Sequence, residues 1–365
     1  MTVSYTLALA GLGNVGRSLV EILVSQADLL RERYGVAFRV VAAADSSGAA
    51  LDPQGLDLAA LLAAKRAGQG AATLAGAGRP GLGGAELLAQ AGADVLLEST
   101  PVNLKTGQPG LDLARAALGR GMHVVIANKG PMVLAYQELA SLSDLSSAGS
   151  RPPSPGDDTQ LNTQHSTLKT PKLRFSACVG GYLPTVNLGW RDLRGARVTR
   201  FEAVLNGTTQ IILRAMEQGG SYADALADAQ RRGLAETDPS LDVEGWDAAN
   251  KLVIVANAVL GRPATLDDVD VTGITRLQRD DLQSALGYGR RTVLLCLAEP
   301  EGDSFRLSVR PTALPLEHPL ARMSADEMGL VYYTDIGGRL TATTHERGPG
   351  PTAAAMLRDL LDVVG

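Results

Sequence analysis

Between Gly233 and Leu252 the chain reads GLAETDPSLDVEGWDAANKL, setting the acids Glu236, Asp238, Asp242, Glu244 and Asp247 ahead of one lysine, Lys251. The Asp238-Pro239 dipeptide marks a turn, because the residue before proline is pushed out of helical angles. From about Val243 the pattern becomes helical and runs into the apolar LVIVANAVL, with Asp242 where an N-cap belongs. On that helix Asp247 and Lys251, four apart, share a face with the acid N-terminal to the base. A surface ion pair of this kind is worth about 0.3–0.5 kcal/mol and needs no function. Lys251, however, leads straight into an apolar run, which places the pair where the helix enters the core. A lysine held there between carboxylates can be tuned for proton transfer.

A second centre lies at the N-terminus. Thr6–Ala10 is a short apolar strand that runs into Gly11-Leu12-Gly13-Asn14-Val15-Gly16 and then the helical RSLVEILV. This is GxGxxG in the context it requires, with a strand before and a helix after. The glycines allow a tight turn and close approach of the backbone to a pyrophosphate at the helix N-terminus, with Gly11, Gly13, Asn14, Val15 and Gly16 as contacts. The next strand, FRVVAAAD, ends in Asp45, an acid placed to bond the adenosine ribose and disfavour a 2′-phosphate, or simply to start a turn. Ser46, Ser47 and Arg17 could accept a phosphate instead, so NAD is favoured and NADP stays open.

These residues must be carried by alternating strands and helices: DVLLEST, LDLARAALGRG and HVVIANKG continue the series, as expected of a doubly wound parallel sheet. Ligands of such sheets sit beyond the carboxyl ends of the strands, where Thr100-Pro101 and Asn128-Lys129 fall. Lys129 could equally be a solvated loop lysine. The stretch 56–84 reads as one helix and a flexible glycine-rich loop, and the first helix is expected to extend through QADLLRERYG. Beyond, LRFSACV reads as a strand before Gly180-Gly181, and RFEAVLNG leads through Asn206-Gly207-Thr208-Thr209 into a helix. A capped junction of that kind leaves the backbone N–H groups of Gly207 and Thr208 for a substrate. DVDVTGI, RRTVLLCLAE, FRLSVRPTAL and LVYYTDI complete a mixed sheet.

The expected fold is therefore α/β: a Rossmann-type doubly wound parallel sheet plus an α+β substrate and dimerisation domain with a mixed sheet. The domains are 1–140 for the dinucleotide, with the helix 348–365 returning to it, a flexible linker or insertion at 141–172, and 173–347 for substrate, catalysis and dimerisation. The 141–172 run is polar and rich in serine and proline and cannot bury a core. A net charge of −5 without a basic run argues against nucleic acid as a partner. The longest apolar runs fall short of a membrane span, and MTVSYTLALAGLG lacks the basic start of a signal peptide. Cys178 and Cys296 form no CxxC or Cys/His cluster, so a reducing cytoplasm is expected. No histidine has metal-like spacing.

Motifs along nearly the whole chain resemble the homoserine dehydrogenase family: GLGNVG, ESTPVN, HVVIANKGP, VGGYLPT, VLNGTT, GLAETDPSLDVEGWDAANKL, DVDVTGI, HPLA and PTAAAMLRDL. The resemblance implies reversible NAD(P)-dependent interconversion of L-aspartate 4-semialdehyde and L-homoserine, in the form lacking a C-terminal ligand-sensing domain. It implies that Lys129 and Lys251 are active-site lysines, that Asp247 orients Lys251, and that Glu236 and Asp242 hold the substrate amino group. Gly13, Asn14, Val15, Thr100, Lys129, Gly233 and Gly348 fall at its cofactor contacts, though the glycine loop at Gly348 is shorter than usual. The family's monovalent-cation site would use carbonyls of Val179, Gly181 and Leu183. Its usual glutamate is Ser176 here, so weak or absent dependence on Na⁺ or K⁺ is expected. Competing readings are another Rossmann dehydrogenase acting on a different amino-acid-derived aldehyde or ketone, and a catalytically silent dinucleotide sensor. The mixed sheet suits a homodimer.

Overall fold

The computed structural model describes residues 2–147, 170–232 and 235–365. Most of the 141–172 segment, and the candidate contact Gly233, lie outside them. The chain divides into two compact units, Met1–Cys178 with Thr352–Gly365, and Val179–Pro351.

The first unit is built on seven strands: β1 (Val3–Ala10), β2 (Val36–Asp45), β3 (Gly48–Leu51), β4 (Gly78–Pro80), β5 (Val95–Glu98), β6 (His123–Ile126) and β7 (Leu173–Arg174). Their order is β4-β3-β2-β1-β5-β6-β7. From β2 to β7 the pairs are parallel, whereas β3 and β4 are added antiparallel. The parallel strands are near-continuous apolar runs because helices cover both faces. The stretch read as helix and flexible loop thus also contains β4, which with β3 widens the sheet. GAAL and GRP are short and lack β-branched residues, so only pairing makes them strands, GAAL beside β2 and GRP beside β3. Two further expectations need correction. The first helix ends at Ser25 and a second, Ala27–Tyr34, follows across Gln26. LRFSACV pairs only at Leu173–Arg174 and then tightens into a 3-10 turn, Ser176–Cys178. The helix Gly350–Val364 packs Ala353, Met356 and Leu360 into the core that holds Leu7, Leu9 and Leu19.

The second unit carries β8 (Val198–Val204), β9 (Val269–Val271), β10 (Arg290–Glu301), β11 (Ser304–Pro315), β12 (Glu327–Thr334) and β13 (Gly338–His345), in the order β13-β12-β8-β10-β11-β9. Only β9 runs parallel to its neighbour, so the sheet is mixed as expected. The edge strand β13 reads GRLTATTH and alternates between exposed and half-buried positions, which left it no apolar signal in the sequence. Helix Trp246–Ala258 is buried along most of its length, from Asp247 to Asn257. Its N-cap is Gly245 at φ +90, not Asp242. Pro239 opens a separate turn, Ser240–Val243, that takes up Asp242 before the chain reverses at Gly245.

Candidate active site

In the first unit β1 delivers the glycine turn to helix Asn14–Ser25. Gly11 has φ +94, and a Cβ there would stand 2.4 Å from the Ser99 carbonyl oxygen; one on Gly16 would stand 2.0 Å from the carbonyl oxygen of Gly11. Both positions therefore require glycine. No side chain caps the helix at Gly13, leaving its first-turn N–H groups, at Asn14, Val15 and Gly16, for an anion. The residues fit a dinucleotide pyrophosphate.

Asp45, at the carboxyl end of β2, does more than start a turn. Ser47 donates from N and Oγ to Oδ1 at 2.9 and 2.6 Å, while Lys65 Nζ and Ala71 N donate to Oδ2 at 2.6 and 3.1 Å. Four donors fill roughly the four lone-pair positions of a carboxylate. Burial pushes the Asp45 carboxyl up, but the bonds from Lys65, Ser47 and Ala71 outweigh it and hold it below its ordinary value. Lys65 escaped the sequence reading because its partner is twenty residues away.

At the carboxyl end of β5, Thr100 donates from N to Glu98 Oε1 at 2.8 Å and also from Oγ1. Asn128 Nδ2 donates to Thr100 Oγ1 at 3.2 Å, and Asn128 Oδ1 accepts from Gly130 N at 3.0 Å, capping the short helix that opens with Lys129. Thr100 and Lys129, both candidates from sequence, are thus fixed through one amide. Glu98 was missed: it is fully buried, and its Oε2 lacks an aligned donor among the described residues. Burial pushes its carboxyl up to about 7, against the bonds from Thr100 and Asn128. The signal was present as an acid closing an apolar strand.

The second unit assembles the acid–lysine stretch. Asn206 caps helix Gly207–Glu217 by accepting from Thr209 N at 2.9 Å, and Gly207 and Thr208 form that helix's first turn. Its Nδ2 donates to Asp242 Oδ1 at 2.6 Å and to Asp247 Oδ2 at 2.9 Å. Lys251 Nζ donates to the same Asp247 Oδ2 at 2.7 Å and to the Leu205 carbonyl at 2.6 Å. Side-chain exposures of 13% for Lys251 and 12% for Asp247 exclude the surface-pair reading. Glu236 is exposed and stands outside this chain of bonds; its carbonyl accepts from Gln230 Nε2 at 3.1 Å. Gly348 is exposed, with φ +70.

The turn after Val179 has Gly180 at φ +80 and Gly181 at φ +55. The Val179 carbonyl accepts from Thr185 Oγ1 at 3.2 Å and the Leu183 carbonyl from Thr185 N at 2.8 Å. Glu346, also unforeseen, accepts from Tyr182 N at 2.7 Å and stands where a Cβ on Gly181 would be, 2.3 Å from Oε2. Burial pushes the Glu346 carboxyl up, opposed by the Tyr182 N–H and the charge of Lys251. A carboxylate therefore reaches this turn from far along the chain. In the first unit Ser176 donates from N and Oγ to buried Asp359, at 2.7 and 2.6 Å. Among the described residues no cluster of His, Cys, Asp or Glu could hold a metal.

Comparison with known proteins gives a consistent result. A family model described as homoserine dehydrogenase matches residues 184–361, and one for the homoserine dehydrogenase NAD binding domain matches 11–150. The chain is 33% identical to a homoserine dehydrogenase of Methanocaldococcus jannaschii, covering 97% of each. It is 32% identical to an NAD(+)-dependent homoserine dehydrogenase of Pseudomonas canavaninivorans, covering 98% of this chain and 96% of that one. The crystal structure of a homoserine dehydrogenase from Thiobacillus denitrificans superposes with a TM-score of 0.78 at 27% identity, covering 99% of this chain and 73% of that one.

Proposed function

This chain belongs to the homoserine dehydrogenase family, and from that premise we propose the work of its individual residues. It is an NAD(P)-dependent oxidoreductase that interconverts L-aspartate 4-semialdehyde and L-homoserine. When bound, the nicotinamide supplies or accepts the hydride. Gly11, Gly13, Asn14, Val15 and Gly16 bind the pyrophosphate, Asp45 with Lys65 faces the adenosine ribose, and Thr100 and Lys129 hold the reactive end. Gly233 and Gly348 are kept as further cofactor contacts.

Reduction of the aldehyde builds negative charge on its oxygen, which a cationic donor must meet. We assign that donor to Lys251, assisted by Lys129, with Asp247 and the Leu205 carbonyl fixing the direction of Nζ. The observation that carries this reading is the hydrogen-bonded run Asp242–Asn206–Asp247–Lys251, whose middle members Asn206 and Asp247 are buried. Asp242 and Glu236 take the substrate amino group, and Gly207 and Thr208 its carboxylate end. A homodimer formed through the mixed sheet completes the proposal. Two free, buried cysteines support a place in the cytoplasm, and no described helix is long and apolar enough to cross a membrane.

The test is oxidation of L-homoserine by the purified protein, with NAD and NADP in parallel and L-serine and L-threonine as controls. Turnover with homoserine alone is expected, faster with NAD. Equal turnover with L-threonine would overturn the substrate assignment.

A further inference from the structure

Glu98, at the carboxyl end of β5, is a buried acid that the proposed chemistry leaves unused. One of its oxygens takes both donors of Thr100, and the other lacks an aligned donor among the described residues. The space around it is closed: a Cβ on Gly110 would stand 2.7 Å from Asn128 Nδ2 and 3.0 Å from Glu98 Oε2. Thr100 and Asn128, the groups that bond the carboxyl, are both uncharged. Among the described residues the nearby Cys178, whose thiol bonds the Ile126 carbonyl, feels the charges of Glu98, of Asp359 on the C-terminal helix and of Lys129 at the start of its helix. Burial, with the charges of Glu98 and Asp359 adding, raises the Cys178 thiol well above its ordinary value, so it stays neutral.

The two redox forms of the cofactor differ in charge at the ring: the oxidised nicotinamide is cationic and the reduced one neutral. A carboxylate that gains its charge beneath the ring's binding loop attracts one form and not the other, most strongly where water is excluded. We propose that Glu98 sets the preference of this enzyme for the oxidised over the reduced dinucleotide, by presenting a negative charge to the cationic ring through the Thr100 loop. It is a charge-positioning residue that exchanges no proton with substrate. The proposal rests on the dinucleotide reading of the first unit. Since burial brings its ionisation near neutrality, the preference follows pH. Raising the pH through about 7 strengthens binding of the oxidised form relative to the reduced form.

The experiment is calorimetric titration of the full-length protein with NAD⁺ and, separately, NADH at pH values from slightly acid to slightly alkaline. In the wild type the ratio of the NADH to the NAD⁺ dissociation constant is expected to rise about tenfold, the scale of one charge acting through protein. Glu98→Gln keeps an acceptor for Thr100 and loses the charge, so its ratio should stay flat. A flat wild-type ratio, or a Glu98→Gln ratio that still rises, overturns the proposal. The wild-type series decides the matter even if the variant folds poorly. Failure of the wild type to bind either form would remove the dinucleotide reading and the proposal together.

Discussion

Lys251 and Asp247 are joined by a 2.7 Å bond one turn apart on a buried helix, and the same Asp247 oxygen accepts from Asn206 at 2.9 Å. The lysine is thus held from below by a carboxylate that is itself held. Its remaining protein partner is the Leu205 carbonyl at 2.6 Å, just before the Asn206 cap. Among the described residues two bonds fix the direction of Nζ, and the proposed role gives its third proton to a substrate oxygen.

Lys251→Met should therefore remove the proton donor and leave much of the binding surface. Turnover is expected to fall by about 10²–10⁴-fold, the usual worth of a positioned acid or base, with little change in KM for homoserine. Steady-state kinetics check this; near-normal turnover would sink the assignment.

Asn206→Ala removes the donor shared by two carboxylates and the cap of helix Gly207–Glu217. Hydrogen bonds to charged groups contribute about 1.5–3 kcal/mol and a cap about 1 kcal/mol, so a clear loss of stability is expected together with lower turnover. Chemical denaturation followed by circular dichroism measures it. A variant as stable as the wild type would show that the bridge is not under load.

Asp359 ties the C-terminal helix to the turn at Ser176 through a buried backbone N–H and a hydroxyl. Asp359→Ala leaves both donors unmet and should destabilise by about 3 kcal/mol. Ser176→Ala, which keeps the N–H bond, should cost less. An equal loss in the two variants would contradict this order.

The Glu98 carboxyl gives stability a pH signature. Its folded value, about 7, lies above its ordinary value of 4.5, so the folded state holds a proton that the unfolded state releases. Its contribution is fully present below pH 4.5 and is lost as the pH rises to about 7. The whole change amounts to about 3 kcal/mol. Unfolding free energies of the wild type should fall across that window relative to Glu98→Gln. Parallel profiles would count against an elevated Glu98.

The proposed monovalent-cation site would use the carbonyls of Val179, Gly181 and Leu183, and the Glu346 carboxylate meets the same turn at Tyr182 N and Gly181. Hard oxygen donors of this kind suit Na⁺ or K⁺. Thr185 already occupies two of those carbonyls, so replacing choline by K⁺ at constant ionic strength should raise the melting temperature only slightly. Glu346→Gln should abolish the shift. A large shift that survives in the variant would place the cation elsewhere.

By itself, the sequence determined what local rules can carry. The Gly11–Gly16 turn between strand and helix, the alternation that makes the parallel strands, and the face shared by Asp247 and Lys251 all depend on residues within a few positions of one another. The tertiary structure alone decided what depends on residues far apart in the chain. Lys65 reaches Asp45, Asn206 bridges Asp242 and Asp247, Glu346 returns to Gly181, and Asp359 meets Ser176. Strands β3, β4 and β13 belong to the same class, since their short or polar sequences become strands only beside a partner. Asp242 as an N-cap failed for the opposite reason: the local pattern allowed it, but Gly245 at positive φ reset the helix start and released the carboxylate to Asn206. Spacing fixes which face a side chain occupies; burial and the partner brought to it fix its charge and what it can do.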